Sequence, residues 1–137
     1  MSLLRAIPLF AWLLAIYNLM AFGLGADFST TMDRPYTTFS LHSGAELSLN
    51  LWDLLILTGV MLLYVEIFKA TRNSRAAILD HLLSMMVFVV FLVEFLLLKD
   101  FGTTPFLSLT MMSFLDVVAG FTVSIAGAGR DVSVGRG

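Results

Sequence analysis

Five carboxylates, Asp53, Glu66, Asp80, Glu94 and Asp116, lie inside or at the limits of four long apolar stretches. An acidic side chain in hydrocarbon costs at least about 2.5 kcal/mol, so each must be paired, protonated or bound to something. Three chemistries are open to them: ion pairing with lysine or arginine, cation binding and proton binding. His81, directly after Asp80, adds an imidazole to the same region. Catalytic chemistry finds no footing, because the chain has no GxSxG, HExxH or P-loop and His81 has no serine with the geometry of a nucleophile. The absence of cysteine excludes disulfides, thiol catalysis and thiolate metal sites. His42 and Glu46 are metal-ligand types, but the only other histidine is far away in sequence, so neither a metal nor a cofactor is expected. The chain reads as a non-enzyme.

The acids differ in the company they keep. Asn50 and Asp53 have the spacing of a capping box, which also sets the acid at the positive end of a helix dipole. Glu66 lies three residues before Lys69, and Asp80 follows Arg72 and Arg75, so both are expected to be interfacial charges near bases. Glu94 has only Lys99 as a nearby base, and Asp116 lies deepest in its stretch. These two carry the sharper expectation: they face the bundle or a partner, as proton holders, cation ligands or ion-pair members.

Helical periodicity sorts these residues into faces. On the fourth stretch Thr110, Ser113, Asp116, Gly120, Ser124 and Gly127 recur every three or four residues and form one face, with Thr110 at its edge. Met111, Leu115, Val118 and Ile125 lie opposite. Small residues permit close backbone approach, so this face is expected to pack against another helix, with pore lining as the alternative. A weaker stripe on the first stretch, Ala11, Ala15, Asn18, Phe22 and Gly25, predicts a second packing face. On the third stretch Asp80, Ser84 and Glu94 share a face that Val87 and Phe91 interrupt, which predicts two separate polar contacts, one towards each membrane surface. At about 1.5 Å per residue, Asp53 and Glu94 fall in one half of the bilayer, Asp116 near the middle, and Glu66, Asp80 and His81 in the other half.

The elements that position these groups follow from composition. With 58% hydrophobic and 13% charged residues in 137, and a mean hydropathy of +0.92, a soluble fold could not hide its apolar surface. Four spanning helices of roughly 20 residues account for nearly the whole length. The expected architecture is an all-α membrane protein, a four-transmembrane-helix antiparallel bundle in one domain over 1–137. Helices are expected at about 4–24, 49–69, 76–98 and 105–127, with a loop at about 25–48. Pro8 is expected in the first turn of the first helix, Thr104 as the cap before Pro105 in the fourth, and Asn73 or Ser74 as the cap of the third. Short connections predict that helices two and three, and helices three and four, are antiparallel neighbours. A short hairpin turning at Ser43-Gly44 is expected in the loop.

Basic residues set the expected orientation. Arg5, Lys69, Arg72, Arg75, Arg130 and Arg136 fall on one side, and Arg34 and Lys99 on the other. The positive-inside rule then gives cytoplasmic termini and an external loop in a bacterial inner membrane. The first apolar run is longer than the core of a secretory signal and is expected to stay as a helix. A net charge of -2 and the topological placement of the bases exclude nucleic acid as an expected partner. The expected partners are the lipid bilayer, and other membrane subunits or further copies of the chain. Two functions fit: an accessory, assembly or stabilising subunit of a larger membrane complex, or a small oligomeric channel or carrier for protons or cations.

Overall fold

A computed structural model describes residues 7–71 and 75–134, with side chains at 7–71 and 79–126. Its helices are α1 (Leu9–Leu24), a short α2 (Phe28–Asp33), α3 (Leu51–Ala70), α4 (Arg75–Leu97) and α5 (Thr104–Val134). A two-stranded hairpin, β1 (Thr37–Ser40) and β2 (Glu46–Leu49), joins α2 to α3. Four helical stretches are long and apolar enough to span a bilayer: Leu9–Asp33, Leu51–Ala70, Leu79–Leu97 and Thr104–Ala126. They pack antiparallel as a bundle. The side bearing the hairpin is called the hairpin end below, and the side bearing the α3–α4 connection the terminal end.

Local chemistry explains most of the helix limits. Asn50 and Asp53 form the capping box that their spacing predicts: the Asn50 side chain accepts from the Asp53 amide at 3.0 Å, and Asp53 accepts from the Asn50 amide at 2.9 Å. The start of α5 differs by one residue from expectation. Thr103, not Thr104, accepts from the Phe106 amide at 3.3 Å, which places Thr104 and Pro105 in the first turn, where no donor is missed. Pro8 also departs from expectation. It lies outside α1 as the residue before it, with extended backbone (φ -60°, ψ 139°). The predicted start near residue 4 and the Asn73/Ser74 cap lie outside the described residues. At the other limit α5 continues to Val134, beyond the expected end at 127.

The connector is more ordered than its polar sequence suggests. Thr37 pairs with Leu49 and Ser40 with Glu46, and the turn between them contains Gly44 at φ 84°, a conformation that favours glycine. A helical turn at Gly25–Asp27 and then α2 fold back on the bundle, burying Phe28 and Met32. Trp52 of α3 fastens this segment by donating its indole N–H to Asp33 at 2.8 Å.

The packing order differs from that implied by the connections. α5 lies along both α3 and α4, and α1 touches the same two helices from the other side, whereas α3 and α4 meet only sparsely. The expectation that helices two and three are close neighbours is therefore corrected: a short connection brings two helix ends together but does not decide which helix fills the space between them. Gly59 permits the close contact of α3 with α5, since a Cβ there would meet Leu109 and Met112 side-chain atoms at 2.9 Å. Towards the hairpin end the core is aromatic. Tyr17 is fully buried and packs against Phe28, Trp52, Phe101 and Phe106 with ring centroids 4.5 to 5.8 Å apart. Dispersion and ring geometry matter here because lipid tails are as apolar as the core, so burial alone gives little drive for association.

The faces on α5 and α1 fare differently. Thr110, Ser113, Asp116 and Gly120 are buried against neighbouring helices, while Met111, Leu115, Val118 and Ile125 point outward. Ser124 is exposed near the end of this face, and the side-chain position at 127 lies outside the described residues. On α1 the predicted packing stripe is not the buried face. Phe10, Leu13, Leu14, Tyr17 and Ala21 face the core, whereas Ala15 and Phe22 point away from it.

Candidate functional site

The terminal half of the bundle gathers polar side chains from three helices around one small cavity. Glu66 and Ala70 of α3, Asp80, His81 and Ser84 of α4, and Asp116, Gly120 and Ser124 of α5 line a space of about 20 Å³. That is room for one water molecule. Lys69 stands beside it and bridges two of the acids, with its Nζ 2.9 Å from Glu66 and 3.2 Å from Asp80. Glu66 is only 2% exposed, and its other oxygen accepts from the Leu9 amide at the start of α1. That bond accounts for a helix-start donor that Pro8 leaves without an intrahelical partner.

The expected pairing of Glu66 with Lys69 is present, and Glu66 is in addition buried and bonded to α1 through the Leu9 amide. Asp80 is paired with Lys69 of α3, and the expected company of Arg72 and Arg75 lies outside the described residues. The deciding reach is across helices, because Lys69 near the end of α3 faces the first turns of α4.

Asp116 has no basic partner of its own among the described residues. It is 5% exposed, Ser84 sits beside its carboxyl group, and its Oδ2 makes no hydrogen bond among the described residues. His81 is in a matching position: its Nε2 is also buried and without a partner among the described residues. The imidazole is wedged between Phe121, with ring centroids 4.3 Å apart and the planes nearly perpendicular, and Gly120, where an added Cβ would overlap the ring. The glycine of the small-residue face thus makes room for the histidine ring. Among the described residues the cluster holds three carboxylates and one ammonium, an excess of negative charge in a region of low dielectric. Such a surplus attracts a proton or a cation.

Glu94 lies elsewhere. It accepts from the Asn18 side-chain amide at 3.0 Å, and the same amide reaches Leu14 O on its own helix at 3.0 Å. Apolar side chains separate this contact from the terminal cluster along α1 and α4, the two helices that carry it, while on α5 buried Thr110 and Ser113 precede Asp116. Phe10 and Leu13 come between Leu9 and Asn18 on α1, Val87 and Phe91 between Ser84 and Glu94 on α4, and Phe106 and Leu109 precede Thr110 on α5. Thr110, though polar and buried, donates to Phe106 O at 2.9 Å within its own helix. Asp53 is further off still, in its capping box. The five acids therefore fall into three settings: Glu66, Asp80 and Asp116 in one cluster, Glu94 with Asn18, and Asp53 at a helix start.

Sequence reasoning missed three participants. The Leu9 amide carries no sequence signal beyond the preceding proline. Asn18 was visible only as a member of the α1 stripe, 76 residues from Glu94. Tyr17, whose hydroxyl is 3.4 Å from Asp100 O and 3.5 Å from Thr103 Oγ1, could have been noticed as an aromatic polar group near a helix end. Among the described residues no group of three or more histidine or acidic side chains is arranged to hold a metal ion. No family model, curated protein or solved structure matches this chain, which leaves the chemistry of its own residues as the guide to function.

Proposed function

We propose that this four-span membrane protein is a non-catalytic accessory or stabilising subunit of a larger membrane complex. The observation that carries this reading is the division of its membrane polar groups into separate clusters with aromatic and aliphatic packing between them. A transporter needs a polar route across the bundle, and a single copy of this chain offers none among the described residues. Its outward surfaces are apolar, and the α1 face bearing Ala11 and Ala15 lets a foreign helix approach closely. In this reading the buried acids and Lys69 hold the helices in register, while association occurs through the lipid-facing surface.

Crosslinking in native membranes followed by mild-detergent purification tests the proposal. A foreign membrane subunit should be recovered in fixed ratio, and Ala15→Trp, which adds bulk at an exposed position bordering the groove between α1 and α4, should remove it. Recovery of the chain alone would count against the proposal.

The acid surplus of the terminal cluster favours a second reading, an oligomeric proton or cation channel. Proteoliposome flux separates the two. Equal background leak for the unaltered chain, Glu94→Gln and Asp116→Asn under proton and alkali-cation gradients would remove the transport reading.

A further inference from the structure

We propose that the terminal cavity is a proton-binding site, in which Asp116 and His81 hold one exchangeable proton through a single bridging water. Two independent observations meet in this space. Asp116 and His81 each bring a buried atom without a partner among the described residues, Oδ2 and Nε2, and both residues line the same one-water cavity. An isolated carboxylate oxygen and an isolated ring nitrogen are each costly in apolar surroundings, and one water with two to four polar contacts satisfies both.

The surrounding groups favour a proton over a metal ion. Among the described residues the cluster is faced from α3 by Glu66 and Lys69, from α4 by Asp80 and His81, from α5 by Asp116, and from α1 by the Leu9 amide. Lys69 is engaged with Glu66 and Asp80, so among the described residues Asp116 is the acid of the cluster without an ion pair. A proton arriving from the terminal side forms an O–H bond at Asp116. That O–H donates to the water, and the water donates to Nε2 of the neutral imidazole. Transfer to the histidine breaks the Asp116 O–H bond and one water O–H bond as new water O–H and Nε2–H bonds form, so charge and atoms balance. The site belongs to one chain and does not depend on any partner subunit.

Infrared spectroscopy of the protein in lipid vesicles, titrated over pH, tests the assignment. The unaltered chain should show a protonated-carboxyl stretch that disappears in Asp116→Asn and changes frequency in His81→Gln. Spectra that superimpose for the unaltered chain and Asp116→Asn would overturn the proposal, and so would a carboxyl band indifferent to His81→Gln. A measurement that leaves the cluster intact guards against misfolding of those variants. His42→Gln, in the exposed turn of the hairpin, leaves His81 as the only imidazole for nitrogen NMR. Its Nε2 should report a hydrogen bond to the bridging water. An Nε2 resonance free of hydrogen bonding at every pH would overturn the proposal without recourse to any cluster variant.

Discussion

Replacing Lys69 by methionine is the perturbation that most sharply probes the terminal cluster. Methionine keeps most of the unbranched side chain and removes the charge, so Glu66 loses its 2.9 Å contact and Asp80 its 3.2 Å contact. Removing one partner of a buried ion pair costs about 3–5 kcal/mol, because an uncompensated charge stays behind. Two features reduce that figure. The Lys69 side chain is 26% exposed, and Glu66 keeps the Leu9 amide as a donor. Polar contacts between membrane helices also tend to contribute less than expected, since the unfolded helices find other partners in the bilayer. A loss of about 2–3 kcal/mol remains, or roughly 30- to 140-fold in the unfolding equilibrium. Reversible unfolding in mixed lipid–detergent micelles, followed by circular dichroism or by trapping of the unfolded form, reads this directly. The double variant Glu66→Gln/Lys69→Met removes a charge of each sign and keeps an acceptor for Leu9, so it should be more stable than Lys69→Met by about 1 kcal/mol. A Lys69→Met protein within about 0.5 kcal/mol of the unaltered chain, or a double variant whose cost is the plain sum of the singles, would refute the reasoning.

Other outcomes follow from the same structure. Gly59→Leu forces side-chain atoms into Leu109 and Met112 and should destabilise the α3–α5 contact by about 1–3 kcal/mol, measured by the same unfolding assay, with Ala at this position costing less. Asn18→Leu removes the donor to Glu94 and should cost about 1 kcal/mol, while leaving the infrared signature of the terminal cluster unchanged. Trp12 is 53% exposed and Trp52 is 7% exposed, so in single-tryptophan variants brominated lipid should quench Trp12 fluorescence strongly and Trp52 weakly. Equal quenching would show that α1 does not present the face described above.

The parts of the fold legible in the sequence are those governed by local rules. Four apolar runs of spanning length, the Asn50–Asp53 box and the inward face of α5 each depend on residues within a few turns of one another. Depth along the helices likewise put Glu66, Asp80 and His81 in one layer, and the structure gathers them around one cavity. What escaped depends on choices between helices. The small residues on α1 do not mark the core of a single copy, because alanine is tolerated at a lipid-facing position as well as at a close contact, while the buried face is carried by Phe10, Leu13 and Tyr17. The pairing of Asn18 with Glu94 needed the relative shift of α1 along α4, which no local pattern encodes. The short α3–α4 connection concealed the placement of α5, since the connection constrains two ends and leaves the rest of each helix free to diverge. Lys69 was assigned to Glu66 by spacing, but its second contact with Asp80 appears only when the two helices are set side by side.

The functional claim is that the chain stabilises a larger membrane assembly, and native mass spectrometry of material released directly from membranes tests it most directly. The expected spectrum contains this chain bound to a foreign membrane subunit at constant stoichiometry, with the complex lost in Ala15→Trp while the bundle remains folded. A spectrum showing only single copies or self-assemblies of the chain would contradict the claim.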